Sequence, residues 1–342
     1  MRITHYRTFI FAIILGLSSC HFTSKNAISD STNKICGVSL EGSRSPVGSE
    51  CFIDIQSINS NYVSLMPYAY VDEGQSELIF ENLDWQWWGE RKEGTRACIR
   101  LAHEQGIGVM LKPHVWIKHG EFTGEMDMAS EQDWLQWEDD YKNYIMQYVE
   151  IAESLDVELF CLGTELETFV LKRTAFWDEL IAEIKTKYKG KLTYAANWNE
   201  YTKVPFWDEM DFIGIDAYFP VSEIKNPTVN SLIHNWEKWK SEIKSIHDQY
   251  NKPVLFTEYG YQSIEGSTVT PWHVDRIGEV SNQEQKDAYE ALYNACWNED
   301  WMAGGFLWKW HVKDHQPEKK IKRFTPQHKP ALEIVKQYYG KE

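Results

Sequence analysis

Eight short runs of apolar and β-branched residues recur along this chain, at residues 35–40, 62–66, 107–111, 157–162, 192–196, 212–216, 254–257 and 305–308. Between them lie helical patterns, clearest over residues 131–154, 175–188, 231–250 and 282–297. Strands alternating with helices predict parallel βαβ units. Eight such units close into a barrel, so the expected fold class is α/β, a single (β/α)8 TIM-type barrel over residues 35–342, with its site at the C-terminal ends of the strands. The competing architecture is a doubly wound open sheet. It requires a glycine-rich phosphate turn after the first strand, and Val38-Ser-Leu-Glu-Gly-Ser-Arg44 lacks that fingerprint. Residues 330–338 read as a closing helix with Pro330 near its first turn.

With a barrel expected, the strand ends can be read in order. They carry Glu41-Gly-Ser-Arg44, Pro67-Tyr-Ala-Tyr70, Lys112-Pro-His114-Val-Trp116, Thr164-Glu165, Asn197-Trp-Asn-Glu200, Asp216-Ala-Tyr218, Glu258-Tyr-Gly-Tyr261 and Trp308-Lys-Trp310. Polar and aromatic groups thus gather on one rim, as a ligand cleft requires. Two glutamates, Glu165 and Glu258, each stand where an apolar run gives way to a loop, where a carboxylate is costly unless something pairs it or uses it. Such a pair is what glycoside hydrolysis needs, one carboxylic acid to protonate the leaving oxygen and one carboxylate to attack or to activate water. Sixteen Trp residues exceed what a core requires, and part of that excess is read as stacking surface for sugar rings. Trp308 is the natural floor for the sugar being cleaved. Trp85, Trp87 and Trp88 suggest a more distant subsite, at least one of them being core. Glu167 is expected to pair with Lys172 or Arg173. No metal is expected, since the one helically spaced histidine pair, His311 and His315, sits among lysines; nor is any cofactor.

The N-terminus reads as an address. Arg2 and Arg7 precede an apolar run over residues 9–17 that ends in Leu17-Ser-Ser-Cys20, the layout of a secretory signal too short to span a bilayer. The four residues ending at Cys20 resemble a bacterial lipobox. Residues 1–19 are therefore expected to be a lipoprotein signal peptide, Cys20 the lipidated residue, and residues 20–34 a polar tether. The implied location is the bacterial cell envelope, at the periplasmic face or the cell surface. A net charge of −16 argues against nucleic acid as a partner; a monomer is expected. The five cysteines after Cys20 (36, 51, 98, 161 and 296) are odd in number and widely spaced, which suggests buried free thiols, with a Cys36–Cys51 bridge left open.

Glutamates at the ends of the fourth and seventh strands of such a barrel are the mark of the clan A glycoside hydrolases, and this sequence resembles glycoside hydrolase family 113, the β-mannanase family. The resemblance covers the chain after the tether. It rests on Gly37-Val-Ser-Leu-Glu-Gly, Lys112-Pro-His-Val-Trp, Gly163-Thr-Glu-Leu-Glu, Ala196-Asn-Trp, Gly214-Ile-Asp-Ala-Tyr-Phe-Pro, Thr257-Glu-Tyr-Gly-Tyr and Trp308-Lys-Trp. It implies retaining hydrolysis of β-1,4-mannosidic bonds in mannan, glucomannan or manno-oligosaccharides, with Glu165 as acid/base and Glu258 as nucleophile. Retention requires the two carboxyl groups about 5 to 5.5 Å apart. Tyr218 is expected to hydrogen-bond Glu258, as a strand-6 tyrosine often does in the clan. Lys112, His114, Trp116, Asn197, Trp198 and Asp216 are expected to face the sugar. One departure is Thr164, which stands where many clan members place an asparagine before the acid/base. The rival readings are a clan A hydrolase of another β-glycan and a non-catalytic glycan-binding lipoprotein.

Overall fold

The structure, a computed structural model, describes residues 34–80, 83–118, 122–274, 277–312 and 321–340. The expected signal peptide, Cys20, most of the tether and His315 lie outside the described residues.

Every one of the eight runs forms a strand. In chain order the strands are β1 (Ile35–Leu40), β2 (Tyr62–Leu65), β3 (Tyr68–Val71), β4 (Gly108–Leu111), β5 (His114–Ile117), β6 (Leu159–Thr164), β7 (Lys191–Asn197), β8 (Ile213–Asp216), β9 (Val254–Tyr259) and β10 (Met302–Trp310). Eight of them pair in parallel and close in the order β1-β10-β9-β8-β7-β6-β4-β2. The helices are α1 (Glu50–Gln56), α2 (Lys92–Glu104), α3 (Glu131–Ser154), α4 (Glu167–Lys172), α5 (Thr174–Lys187), α6 (Val229–Tyr250), α7 (Asn282–Leu292) and α8 (Ala331–Tyr339). The fold is a single (β/α)8 barrel. The helix starts follow local chemistry: the Ser130 side chain accepts the Asp133 N–H ahead of α3, and Thr228 accepts the Ser231 N–H ahead of α6. Residues 293–297, expected within one helix with α7, instead wind into a wider π turn.

Side chains alternate across each strand, so one set fills the lumen and the other meets the helices. Met110, Leu159, Cys161, Ala195, Leu255 and Phe306 belong to the inner cluster. Val63, Val109, Phe160, Ile215 and Leu307 belong to the outer one, shared with Trp137, Trp177 and Trp236. Burying a large side chain of this kind contributes about 1.5–3 kcal/mol. The lumen is therefore a packed plug, and a ligand meets the barrel only at its end. The five described cysteines are free and buried, so no bridge joins Cys36 to Cys51.

Two stretches expected as strand-end loops depart from that reading. Pro67 and Pro113 interrupt the second and third barrel strands, and beyond them Tyr68-Ala-Tyr-Val71 and His114-Val-Trp-Ile117 alternate with period two. They form β3 and β5, a parallel two-stranded sheet outside the barrel that pairs Tyr68 with His114 and Tyr70 with Trp116.

Candidate active site

Lys112 lies two residues beyond Met110 and so faces the same lumen, just above the apolar plug. It is wholly buried, and carboxylates surround it. Its Nζ donates to Glu258 Oε1 at 2.5 Å and to both Asp216 oxygens at 3.3 Å. Desolvation pushes a lysine toward neutrality, but the charges of Asp216 and Glu258 outweigh it here and raise the Lys112 pKa. The carboxylates are brought side by side by a local irregularity: Ile215 pairs with Phe256 whereas Asp216 pairs with Glu258, so Thr257 is an extra residue in β9. A bulge at a strand end re-aims side chains in this way. The Thr257 hydroxyl then donates to Asp216 at 2.7 Å, and Tyr218 donates its hydroxyl to Glu258 Oε2 at 2.8 Å. Burial, with the Glu258 charge added, pushes the Asp216 carboxyl up to about 7, against the pull of Lys112 and Thr257.

Glu165 follows β6 directly. Its backbone sits at φ +50°, the left-handed region that a glutamate rarely occupies and that costs about 1–3 kcal/mol. Neighbouring elements hold it there: its N–H donates to Ala195 O at 2.8 Å, and its carbonyl accepts the Thr123 hydroxyl at 3.2 Å. Desolvation first, then the charges of Asp216 and Glu258, hold its carboxyl well above the usual carboxylate range, with Lys112 opposing. Glu200, a residue the strand-end reading gave no role, lies buried near this group. Its carboxyl is pushed up to about 8, chiefly by burial and then by Glu167. The Thr164 hydroxyl is buried with no hydrogen-bond partner among the described residues.

The remaining expected residues divide. His114 stands 3.7 Å from Glu258 Oε1, its ring parallel to Trp308 with centroids 6.4 Å apart. Burial, then the charges of Lys112 and Lys309, hold its pKa well below the ordinary value, so the imidazole is neutral. Gly260 permits the close approach of Trp308, whose carbonyl would lie 2.4 Å from an added Cβ. Asn197 Oδ1 accepts the Trp198 N–H at 2.8 Å. Trp198 stacks on Trp272, centroids 4.9 Å apart, an aromatic at the rim that sequence reading did not single out. Lys112 and Asp216, expected against the sugar, are both fully buried: Lys112 is held between Asp216 and Glu258, and Asp216 between Lys112 and Thr257. Trp116, two residues beyond His114 on β5, is exposed and pairs with Tyr70.

Glu167 pairs with Lys203, not with Lys172 or Arg173. Five and six residues along a helix lie on a different face; Lys172 meets Asp127, and Arg173 meets Glu131 and Glu138. Of the three tryptophans in the loop after β3, Trp88 packs against the core and Trp87 lies under Arg44, 4.7 Å from its centroid. At the end of β1, Glu41 takes His311 and, at 2.8 Å, Lys309. Those partners outweigh its burial and draw the Glu41 pKa down to about 2.

A closed parallel barrel with buried carboxylates, a buried lysine and aromatic rings at its C-terminal end defines a class, the barrel glycoside hydrolases. The chain belongs to Glycoside Hydrolase Family 113, whose sequence signature matches residues 45–326. Solved structures similar to it include a family 113 β-mannanase from Alicyclobacillus acidocaldarius in complex with ManMIm. That structure is 26% identical with a TM-score of 0.78, over 90% of this chain and 97% of that one. A family 113 β-1,4-mannanase in complex is 28% identical, with a TM-score of 0.78 over 90% and 99% of the two chains. A further structure of a family 113 β-1,4-mannanase is 28% identical, with a TM-score of 0.77 over 90% and 98%. No curated protein matches the sequence.

Proposed function

We propose that the protein is a retaining hydrolase of β-1,4-mannosidic bonds, with Glu258 as nucleophile and Glu165 as acid/base. One observation carries the assignment of roles: the two glutamates sit in opposite electrostatic settings. Both Glu258 oxygens act as acceptors, one for the Lys112 ammonium and one for the Tyr218 hydroxyl, which is the pattern of a carboxylate held ready to attack. Burial, then the charges of Asp216 and Glu258, raise the Glu165 carboxyl well above the usual carboxylate range, the direction a proton donor requires. In the first step Glu258 attacks the anomeric carbon while Glu165 passes its proton to the departing oxygen. In the second, Glu165 takes a proton from water as the water displaces Glu258, which restores both groups. The similarity to β-mannanases supports mannan as the substrate.

The purified protein is expected to release reducing ends from β-mannan and mannohexaose without added metal. The first product seen by NMR is expected to be the β anomer. Activity confined to cellulose or xylan, or abolished by chelator, sinks the substrate reading; an α anomer formed first sinks retention.

Anchoring at Cys20 is part of the same proposal, and it rests on the sequence of residues 1–20. Among the described residues no helix is long and apolar enough to cross a membrane. Cys20→Ser is expected to move the protein from the membrane fraction to the soluble one, since each buried methylene of a lost acyl chain removes about 0.8 kcal/mol of membrane binding. Unchanged fractionation refutes the lipid anchor.

A further inference from the structure

The small sheet β3–β5 has two unlike faces. Ala69, Val71 and Ile117 point into the hydrophobic core, and Val115 packs against it. The alternate positions, Tyr68 and Tyr70 on β3 with His114 and Trp116 on β5, lie on the other face. That face is a run of rings beginning at the candidate catalytic centre. Trp308 is parallel to His114, His114 lies 5.1 Å from Tyr68, Tyr68 lies 6.4 Å from Tyr70, and Tyr70 meets the edge of Trp85 at 4.7 Å. Exposure rises outward from His114. His114 is 9% exposed, Trp116 beside Tyr70 is 52% exposed, and Trp85 is 56% exposed.

Neither outer tryptophan is a loose surface residue. Trp116 is part of a paired strand. The backbone around Trp85 is tied down: buried Gln86 donates to Tyr68 O at 2.9 Å and to Glu90 O at 3.2 Å, and Arg91 donates to Gln86 O at 2.8 Å and Asp84 O at 2.7 Å. Tyr70 is fixed by its hydroxyl, which donates to Glu90 at 2.7 Å. Large rings held in place yet left half in water mark a binding surface. Ordering such rings beforehand spares a ligand the entropy of arranging them.

We propose that Tyr70, Trp85 and Trp116 form a distal subsite that stacks the sugar chain of the substrate, reached from the carboxylates along the ring face of β3–β5. This rests on the functional reading above, since the occupant is the continuation of the same β-linked chain. Continuity with the carboxylate site decides for a sugar chain over a protein partner: the rungs on each strand recur every two residues, about 6.6 Å, and each ring from Trp308 to Trp85 has its centroid within 6.4 Å of the next. The consequence is a dependence of efficiency on substrate length.

The test compares Trp85→Ala, Trp116→Ala and the double variant on mannohexaose and on an aryl β-mannoside that carries one sugar. Each truncation is expected to lower kcat/KM on the hexasaccharide about tenfold, equivalent to about 1.4 kcal/mol, while the aryl glycoside changes less than twofold. Trp85→Phe and Trp116→Phe are expected to keep most of the long-substrate advantage. Hexasaccharide values within twofold of wild type, or equal losses on both substrates, overturn the subsite. If wild type cleaves no mannohexaose, the functional reading fails on its own, and the subsite is then read by fluorescence titration with cellohexaose and xylohexaose. Weaker binding by the double variant supports it there, and unchanged binding overturns it.

Discussion

Glu258→Ala is expected to lose turnover on mannohexaose and on an aryl β-mannoside alike, by roughly 10⁴ to 10⁶. A good leaving group does not help, because the missing group is the one that attacks the anomeric carbon. The loss should be chemical. Lys112 keeps its contacts to Asp216, and Thr257 still donates to Asp216, so the buried cation is not stranded. What is left unpaired is the Tyr218 hydroxyl, whose acceptor was Glu258. The melting temperature should therefore move by no more than about the few degrees that 1–2 kcal/mol represents in a chain of this size. Azide gives the signature. It fits the space that the carboxylate leaves and attacks from that face, so an activated β-mannoside should yield the α-mannosyl azide. A variant that keeps more than about a hundredth of wild-type activity, or that gives only the β azide, removes Glu258 from the nucleophile role.

The barrel was legible because a parallel strand buried on both faces leaves an unbroken apolar run, and eight such runs stand clear of the amphipathic helices between them. Glu165 and Glu258 were legible for the same reason, as charges set at the edge of those runs. The geometry that joins them was not. The extra residue Thr257 in β9 and the left-handed backbone at Glu165 depend on pairing with β8 and β7, contacts between residues far apart in sequence. Lys112 illustrates the limit. A lysine at a strand end reads as a solvent-facing contact for substrate, and only closure of the barrel turns it beneath Glu258 and Asp216. The β3–β5 sheet was hidden differently, since four-residue strands preceded by proline look like loop. Its alternation, Tyr68-Ala-Tyr-Val and His114-Val-Trp-Ile, was the signal present, and it is visible once the two segments are known to be neighbours.

Glu165→Ala should behave unlike Glu258→Ala, and the difference separates the two roles. On mannohexaose the departing sugar oxygen is a poor leaving group, so losing the proton donor should lower kcat/KM by roughly 10² to 10⁴. An aryl mannoside with an acidic phenol needs little protonation. This variant should therefore still transfer the sugar to Glu258 and then stall, because no base remains to activate water. Mass spectrometry of the intact protein should find one added sugar unit on Glu258, and azide, which needs no general base, should restore turnover and give the β-mannosyl azide. The pH profile adds an independent sign. Burial and the charges of Asp216 and Glu258 keep the Glu165 carboxyl protonated above the usual carboxylate range, so the wild-type rate should fall on the alkaline side as that proton is lost. With Glu165 gone, the alkaline fall should vanish from the glycosylation step on the activated substrate while remaining in wild type. If instead the variant fails equally on both substrates and accumulates no adduct, Glu165 is not the acid/base, whatever its place beside Glu258 at the barrel rim.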